Sequence, residues 1–184
     1  MIVVEGPDGA GKTTLIKRLM GDFPHLELAA KVVDSDTRPM TNLRDWVNDN
    51  LAGGFKPAIF DRHRLISEPI YSSVMPREPD ADFWDPEWLI PALQVFRQIK
   101  PVVIFCLPPW SSVYLNTAHD PNNEVVVPYM HKIYNAYVAA YGNWGTDAKL
   151  WDYRHPDREH MYGRIHQNIV FALNTRTESR DVKY

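Results

Sequence analysis

The sequence predicts an α/β fold, a five-stranded parallel sheet covered on both faces by helices. Short apolar runs alternate along the chain with longer stretches of helical period, the rhythm of βαβ units whose strands are buried on both sides. The first run, Ile2-Val3-Val4, leads directly into Gly6-Pro7-Asp8-Gly9-Ala10-Gly11-Lys12-Thr13, a glycine-rich turn that opens onto an amphipathic helix. At 184 residues, 45% apolar and 23% charged, the chain has the length for one domain with a full-sized core and a small lid, and its composition excludes a disordered chain.

Strand 2–5 is the opening apolar run. Helix 12–20 carries Leu15, Ile16 and Leu19 on one face and stops at Gly21, with Pro24 beyond. A strand is expected near 31–34 and a helix near 41–51. Pro57-Ala58-Ile59-Phe60 reads as part of a third strand, 57–61, followed by a helix near 63–73. Met75 to Trp88 is acidic and proline-rich and reads as a long excursion over the carboxyl edge of the sheet. Its aromatics Phe83, Trp84 and Trp88 anchor that loop or, alternatively, stack on a base. Helix 86–99 leads to strand 102–107, where Cys106 is expected as a buried structural thiol. Pro108 to Asn123, containing Asn116, His119, Asp120, Asn122 and Asn123, is expected as a long loop that forms a lid, about 108–124. Helix 125–141 is the best periodic case. Met130, Ile133, Tyr134, Tyr137, Val138 and Tyr141 share one face, which reads as core. Strand 148–152 and helix 157–174, N-capped by Asp157 with His160 at its third position, complete a domain over 1–174. The polar stretch 175–184 reads as a loose tail.

Charge and cysteine usage narrow the function classes. A net charge of −3 gives no global drive toward nucleic acid, although it is compatible with a local basic groove. One cysteine excludes an intrachain disulfide and fits a reducing cytoplasm. The opening run meets Glu5 and Gly6 at once and lacks a basic flank, so it reads as a strand rather than a signal peptide, and no apolar run approaches membrane-spanning length. The seven histidines show neither H-E-x-x-H nor Cys/His spacing, so no structural zinc is expected.

The glycine-rich turn matches G-x-x-x-x-G-K-[ST] in full, between a strand and a helix as that motif requires. Gly6, Gly9 and Gly11 permit torsions closed to residues with a Cβ, so successive amides, including that of Ala10, can point at phosphate oxygens, aided by the positive end of the following helix. Lys12 is expected to span the β and γ phosphates of ATP. Thr13 is expected to hold Mg²⁺, and Thr14 follows in the same first turn. After the third strand come Asp61-Arg62-His63-Arg64 and Ser67-Glu68-Pro69-Ile70-Tyr71. A carboxylate ending a buried strand sits at its carboxyl tip, where Asp61 either joins the Mg²⁺ shell or accepts a proton from an attacking hydroxyl. Arg62 offers a planar fork to phosphate oxygens. His63 and Glu68 are candidate acceptor contacts, Glu68 alternatively capping a turn before Pro69. Arg154, after the fifth strand, either lies over adenine or faces solvent.

Glu5-Gly6-Pro7-Asp8-Gly9-Ala10-Gly11-Lys12-Thr13-Thr14 resembles the opening of thymidylate kinases, and Asp61-Arg62-His63 with Ser67 and Tyr71 resembles their Asp-Arg-Tyr signature. The resemblance implies the P-loop kinase fold and transfer of the γ-phosphoryl of ATP to a nucleotide or nucleoside. It places Arg62 on the acceptor phosphate, and Asp8 and Tyr71 at the acceptor end. Thr37-Arg38-Pro39 resembles the family's Arg-Glu-Pro-Gly turn, making Arg38 a second phosphate contact. It also implies helix-mediated homodimers, with which 63–73 and 86–99 are compatible. Three departures stand out. His63 replaces the tyrosine, and Ser67 and Tyr71 fall one residue later than in the family's spacing; no arginine or lysine lies between Pro108 and Glu124, leaving Arg64, Arg77 or Arg97 to supply lid charge; and the chain is short. Together they point to a divergent relative, with a bacteriophage acting in its host's cytoplasm as one expected source.

Three functions follow as expectations. The first is a kinase for a deoxynucleoside monophosphate or deoxynucleoside. The second keeps the ATP site and takes a polymer acceptor, a nucleic-acid end or a hydroxymethyluracil base in phage DNA. The third is a non-catalytic nucleotide switch, favoured by the lid without arginines.

Overall fold

The computed structural model of the chain describes residues 1–29, 43–52, 57–76, 81–118 and 125–181. Its five strands are β1 (Ile2–Glu5), β2 (Glu27–Leu28), β3 (Ala58–Asp61), β4 (Val102–Cys106) and β5 (Ala148–Trp151). They pair all in parallel, in the order β2-β3-β1-β4-β5. Among the described residues seven α-helices flank the sheet: α1 (Lys12–Asp22), α2 (Leu43–Ala52), α3 (Arg64–Ser72), α4 (Pro86–Ile99), α5 (Trp110–Thr117), α6 (Met130–Trp144) and α7 (Arg158–Asp181).

Period-two alternation in the central strands sorts the core into two layers. Ile2 and Val4 of β1, with Ile104 and Cys106 of β4, pack with Leu15, Ile16 and Leu19 of α1 and with Tyr162, Ile165 and Ile169 of α7. Val3, Val103 and Phe105 face the other way, onto Ile66 and Ile70 of α3, Phe96 of α4, and Ile133 and Tyr137 of α6. All five residues of β4 are buried, which is why its sequence is apolar throughout instead of alternating. Cys106 lies in this strand fully buried, and burial pushes its thiol up to about 12. No helix among the described residues is long and apolar enough to cross a membrane.

The expected strands at 2–5, 57–61, 102–107 and 148–152 appear as β1, β3, β4 and β5 with ends moved by at most a residue. The expected strand at 31–34 lies outside the described residues; β2, at Glu27–Leu28, pairs with the amino end of β3. Two segments differ from expectation. Residues 110–117 form α5 inside the stretch read as a loop. Pro109 begins that helix and only Val113 and Thr117 are buried, too few apolar positions to show a period. In addition, α7 runs to Asp181 through residues read as a tail. No glycine or proline follows Gly163 to stop it, and the Thr175 hydroxyl bonds back to the Phe171 carbonyl at 3.0 Å. Asp157 does stand at the start of α7, its carbonyl accepting from Met161 N at 3.0 Å. Phe83 and Trp88 are buried in the second core layer, where Trp88 Nε1 donates to Asn48 Oδ1 of α2 at 2.9 Å, so these aromatics anchor their segment.

Ile104 is the clearest probe of this packing, being fully buried in the middle of a strand with neighbours on both edges. Ile104→Ala is expected to cost about 2–5 kcal/mol in a urea denaturation experiment.

Candidate phosphoryl-transfer site

The loop after β1 goes to one side of the sheet and the loop after β4 to the other, so a crevice opens between them at the carboxyl edge. The segment Gly6–Gly11 fills it. Gly11 N-caps α1 in the left-handed region at φ 80°, and Gly9 is also left-handed, at φ 76°. Space enforces both glycines as well. A Cβ on Gly9 would meet the Thr117 hydroxyl and the Val113 carbonyl of α5, and one on Gly11 would meet the Tyr153 ring at 2.9 Å.

Lys12 is buried and rests its ammonium on the Pro7 carbonyl at 2.8 Å, inside its own loop. Burial, then repulsion from Arg62, brings its pKa down to about 8, against the pull of Asp8 and Asp61. Thr13 and Thr14 are exposed on the first turn of α1, and Ala10 is fully buried.

Strand β3 brings the second motif to the loop. Asp61 pairs in register with Val4, which sets its carboxylate-bearing residue at the tip of the strand beside β1. Arg62 then turns the chain at φ 69°, a left-handed conformation costing about 1–2 kcal/mol in a residue with a Cβ. Its contacts hold it there. The backbone NH of Arg62 donates to Val4 O at 2.9 Å, its Nε to Gly6 O at 3.2 Å, and its Nη2 to Asp8 Oδ1 at 2.7 Å. Tyr71 of α3 donates to the other Asp8 oxygen at 3.2 Å and lies under the guanidinium, 5.2 Å from ring centre to Cζ. Burial alone would raise the Asp8 carboxyl, but the charges of Arg62 and Lys12 outweigh it and hold Asp8 below the usual carboxylate range.

The expected residues thus divide. Asp8, Lys12, Arg62 and Tyr71 form one contiguous cluster, with Asp61 at its edge. His63 is turned into the core among Trp46, Phe60 and Phe96, where burial lowers it to about 3 and its Nδ1 caps α3 by accepting from Leu65 N at 3.3 Å. Glu68 is buried on α3, accepting from Ser72 Oγ at 3.0 Å and paired with Arg64 at 3.8 Å. Arg154 is exposed after β5, one residue beyond the tyrosine that packs on Gly11. Arg97 sits in the last turn of α4, lining a groove with Pro101 and Val102 at the amino edge of β4, the opposite end of the sheet from the loop. Arg38, Arg77 and residues 119–124 of the expected lid lie outside the described residues.

Glu5 was not anticipated. Its side chain is fully buried between the two halves of the site, Oε1 accepting from His63 N at 2.7 Å and Oε2 from Tyr137 OH at 3.3 Å. The signal was present, since Glu5 ends a buried apolar run as Asp61 does. Tyr137 belongs to the predicted core face of α6 and adds this one polar contact. Asn116, Thr117 and Tyr153, which also touch the loop, carry no motif.

No family model matches the sequence, and no curated protein matches it. Solved structures do. The chain is similar to the YorR protein of Bacillus subtilis in complex with phosphorylated GDP, at 16% identity across 96% of this chain and 97% of that one, with a TM-score of 0.65. It is also similar to deoxyadenosine kinase from M. mycoides with bound dATP, at 14% identity, 90% and 97% coverage and a TM-score of 0.56. The same enzyme with bound dCTP gives 15% identity, 91% and 100% coverage and a TM-score of 0.54. The chain has the P-loop kinase fold.

Burial dominates the Glu5 carboxyl and raises it to about 7, although His63 N, Arg62, Lys12 and Tyr137 all favour the charged form. The folded state therefore binds this proton more tightly than the unfolded chain, and the stability this confers is full below about pH 4.5 and is lost as pH rises through 7. Glu5→Gln is expected to flatten that slope, a difference of up to about 3 kcal/mol between acid and neutral pH, read by urea denaturation at a series of pH values.

Proposed function

We propose that this chain transfers the γ-phosphoryl group of ATP to a nucleoside or a nucleoside monophosphate. The observation that carries the reading is the Arg62 guanidinium bridging Gly6 O and Asp8 within the loop that holds Lys12. A nucleotide-binding loop alone serves many purposes, but an acid–guanidinium pair fixed at its mouth is suited to a second substrate. The solved structures similar in fold include proteins bound to dATP, dCTP and phosphorylated GDP, in keeping with such ligands.

In this reading the amides of Gly9 to Thr13 and the N-terminus of α1 receive the phosphates of ATP, and Lys12 leaves the Pro7 carbonyl to bridge the β and γ groups. Thr13 and Asp61 suit Mg²⁺, both being hard oxygen donors, one on the first turn of α1 and the other on the neighbouring strand tip. When bound there, Mg²⁺ neutralises charge on the β and γ phosphates. Arg62, Asp8 and Tyr71 orient the acceptor. Its oxygen forms a bond to the γ-phosphorus as the bond from that phosphorus to the β–γ bridging oxygen breaks, leaving ADP. Where the acceptor is a hydroxyl, its proton passes to a carboxylate, Asp61 or Asp8.

The test is transfer of label from γ-labelled ATP, with Mg²⁺, to deoxynucleosides, deoxynucleoside monophosphates, DNA ends and hydroxymethyluracil DNA. A nucleoside or monophosphate is expected to take the label. Lys12→Ala and Arg62→Ala are each expected to lower the rate by about 100-fold or more while leaving the circular dichroism of the fold in place. Label appearing only on DNA, or on no acceptor with Lys12→Ala matching wild type, would overturn this function.

A further inference from the structure

The phosphate loop is held from outside by the carboxyl end of α5, a helix with no part in the motifs. The Asn116 side-chain nitrogen lies 2.9 Å from Gly9 O and 2.9 Å from Tyr153 OH. Because a main-chain carbonyl only accepts, the contact with Gly9 fixes the amide with its NH₂ toward the loop. Thr117 is buried at 1% exposure, its hydroxyl 3.1 Å from Asp8 O and 2.9 Å from Val113 O in its own helix. Packing seals the same junction, for a Cβ on Gly9 would collide with Thr117, Val113 and Asn116 together.

Two consecutive carbonyls of the loop, Asp8 and Gly9, therefore lie against adjacent residues of one helix, the Asp8 carbonyl sharing the single Thr117 hydroxyl proton with Val113 O. In a trans peptide the NH points opposite to the C=O, so tying these carbonyls outward aims the Gly9 amide away from α5, and with it the Ala10 amide, which reaches Pro7 O at 3.3 Å inside the loop. We infer that Asn116 and Thr117 are positioning residues for nucleotide binding, a latch by which α5 presets the phosphate-facing amides of the loop. This rests on the proposed ATP site, and it assigns a task to the helix that leads into residues 119–124. Neither residue touches the Asp8 carboxylate or Arg62, so the latch acts on the donor nucleotide and leaves the acceptor end alone.

The experiment measures Mg·ATP affinity by calorimetry and the steady-state constants for ATP and acceptor. Asn116→Asp keeps the shape but sets a carboxylate against Gly9 O, and is expected to weaken ATP binding at least tenfold; Asn116→Ala, losing the donor only, weakens it about 3- to 10-fold. Thr117→Val is expected to do likewise, with Thr117→Ser restoring wild-type affinity. In each weakened variant the KM for ATP rises, while kcat at saturating ATP and the acceptor KM stay within about twofold, a split that uniform destabilisation would not give. Wild-type affinity in Asn116→Asp, or Thr117→Ser binding no better than Thr117→Val, would overturn the latch while leaving the kinase reading intact. If the wild-type chain binds no nucleotide, the kinase reading falls and the latch with it.

Discussion

The site depends on one contact made by an arginine in a costly backbone conformation. Arg62 is where β3 hands the chain to α3, and its left-handed turn swings the guanidinium across to Gly6 O and Asp8. Without that turn the strand would carry the side chain past the loop; with it, two motifs separated by more than fifty residues become one cluster. The contact also explains why the neighbours look as they do. Tyr71 is needed to complete the coordination of Asp8, and Glu5 ties down His63, the residue immediately after the turn. The strain at position 62 is thus held by hydrogen bonds on both sides of the residue, and the held geometry is the feature a second substrate would meet.

Much of this was legible because parallel strands write their burial plainly. β1, β3, β4 and β5 are short apolar runs buried by helices on both faces, so their limits follow from where polar residues begin. The loop and the Asp61-Arg62 pair were legible for the same reason, as abrupt chemistry at the tip of an apolar run. Helix α5 was not, because most of its surface faces neither layer of the core and proline and asparagine dominate its flanks. His63 and Glu5 lie where apolar periodicity gives no guide to their partners. A histidine beside a catalytic-looking pair suggested a ligand contact, yet its ring sits among aromatics, whereas the glutamate that looked like the end of a strand is the buried hydrogen-bond hub. Period and propensity report which face a residue occupies; they do not report which backbone amide needs an acceptor.

The charged and polar groups of the loop partner one another. Lys12 and Ala10 N both use the Pro7 carbonyl, at 2.8 and 3.3 Å, and Asp8 neutralises Arg62. Under the proposed function, nucleotide binding would exchange one set of charge-assisted contacts for another, with a net gain smaller than the new contacts alone would give. Such an arrangement keeps a buried ammonium and guanidinium from standing uncompensated.

Strand order has a further consequence for how the molecule is made. β1 lies in the centre of the sheet, yet its partner in β4 follows about a hundred residues behind it along the chain. Until Val102 to Phe105 have left the ribosome, the flank of β1 that they pair with has no mate, while β3 on the other flank and α1 and α3 on the two faces are already made. The architecture that brings both motifs to one crevice thereby imposes late, cooperative closure on the growing polypeptide, with one flank of Ile2–Glu5 unpaired until β4 arrives.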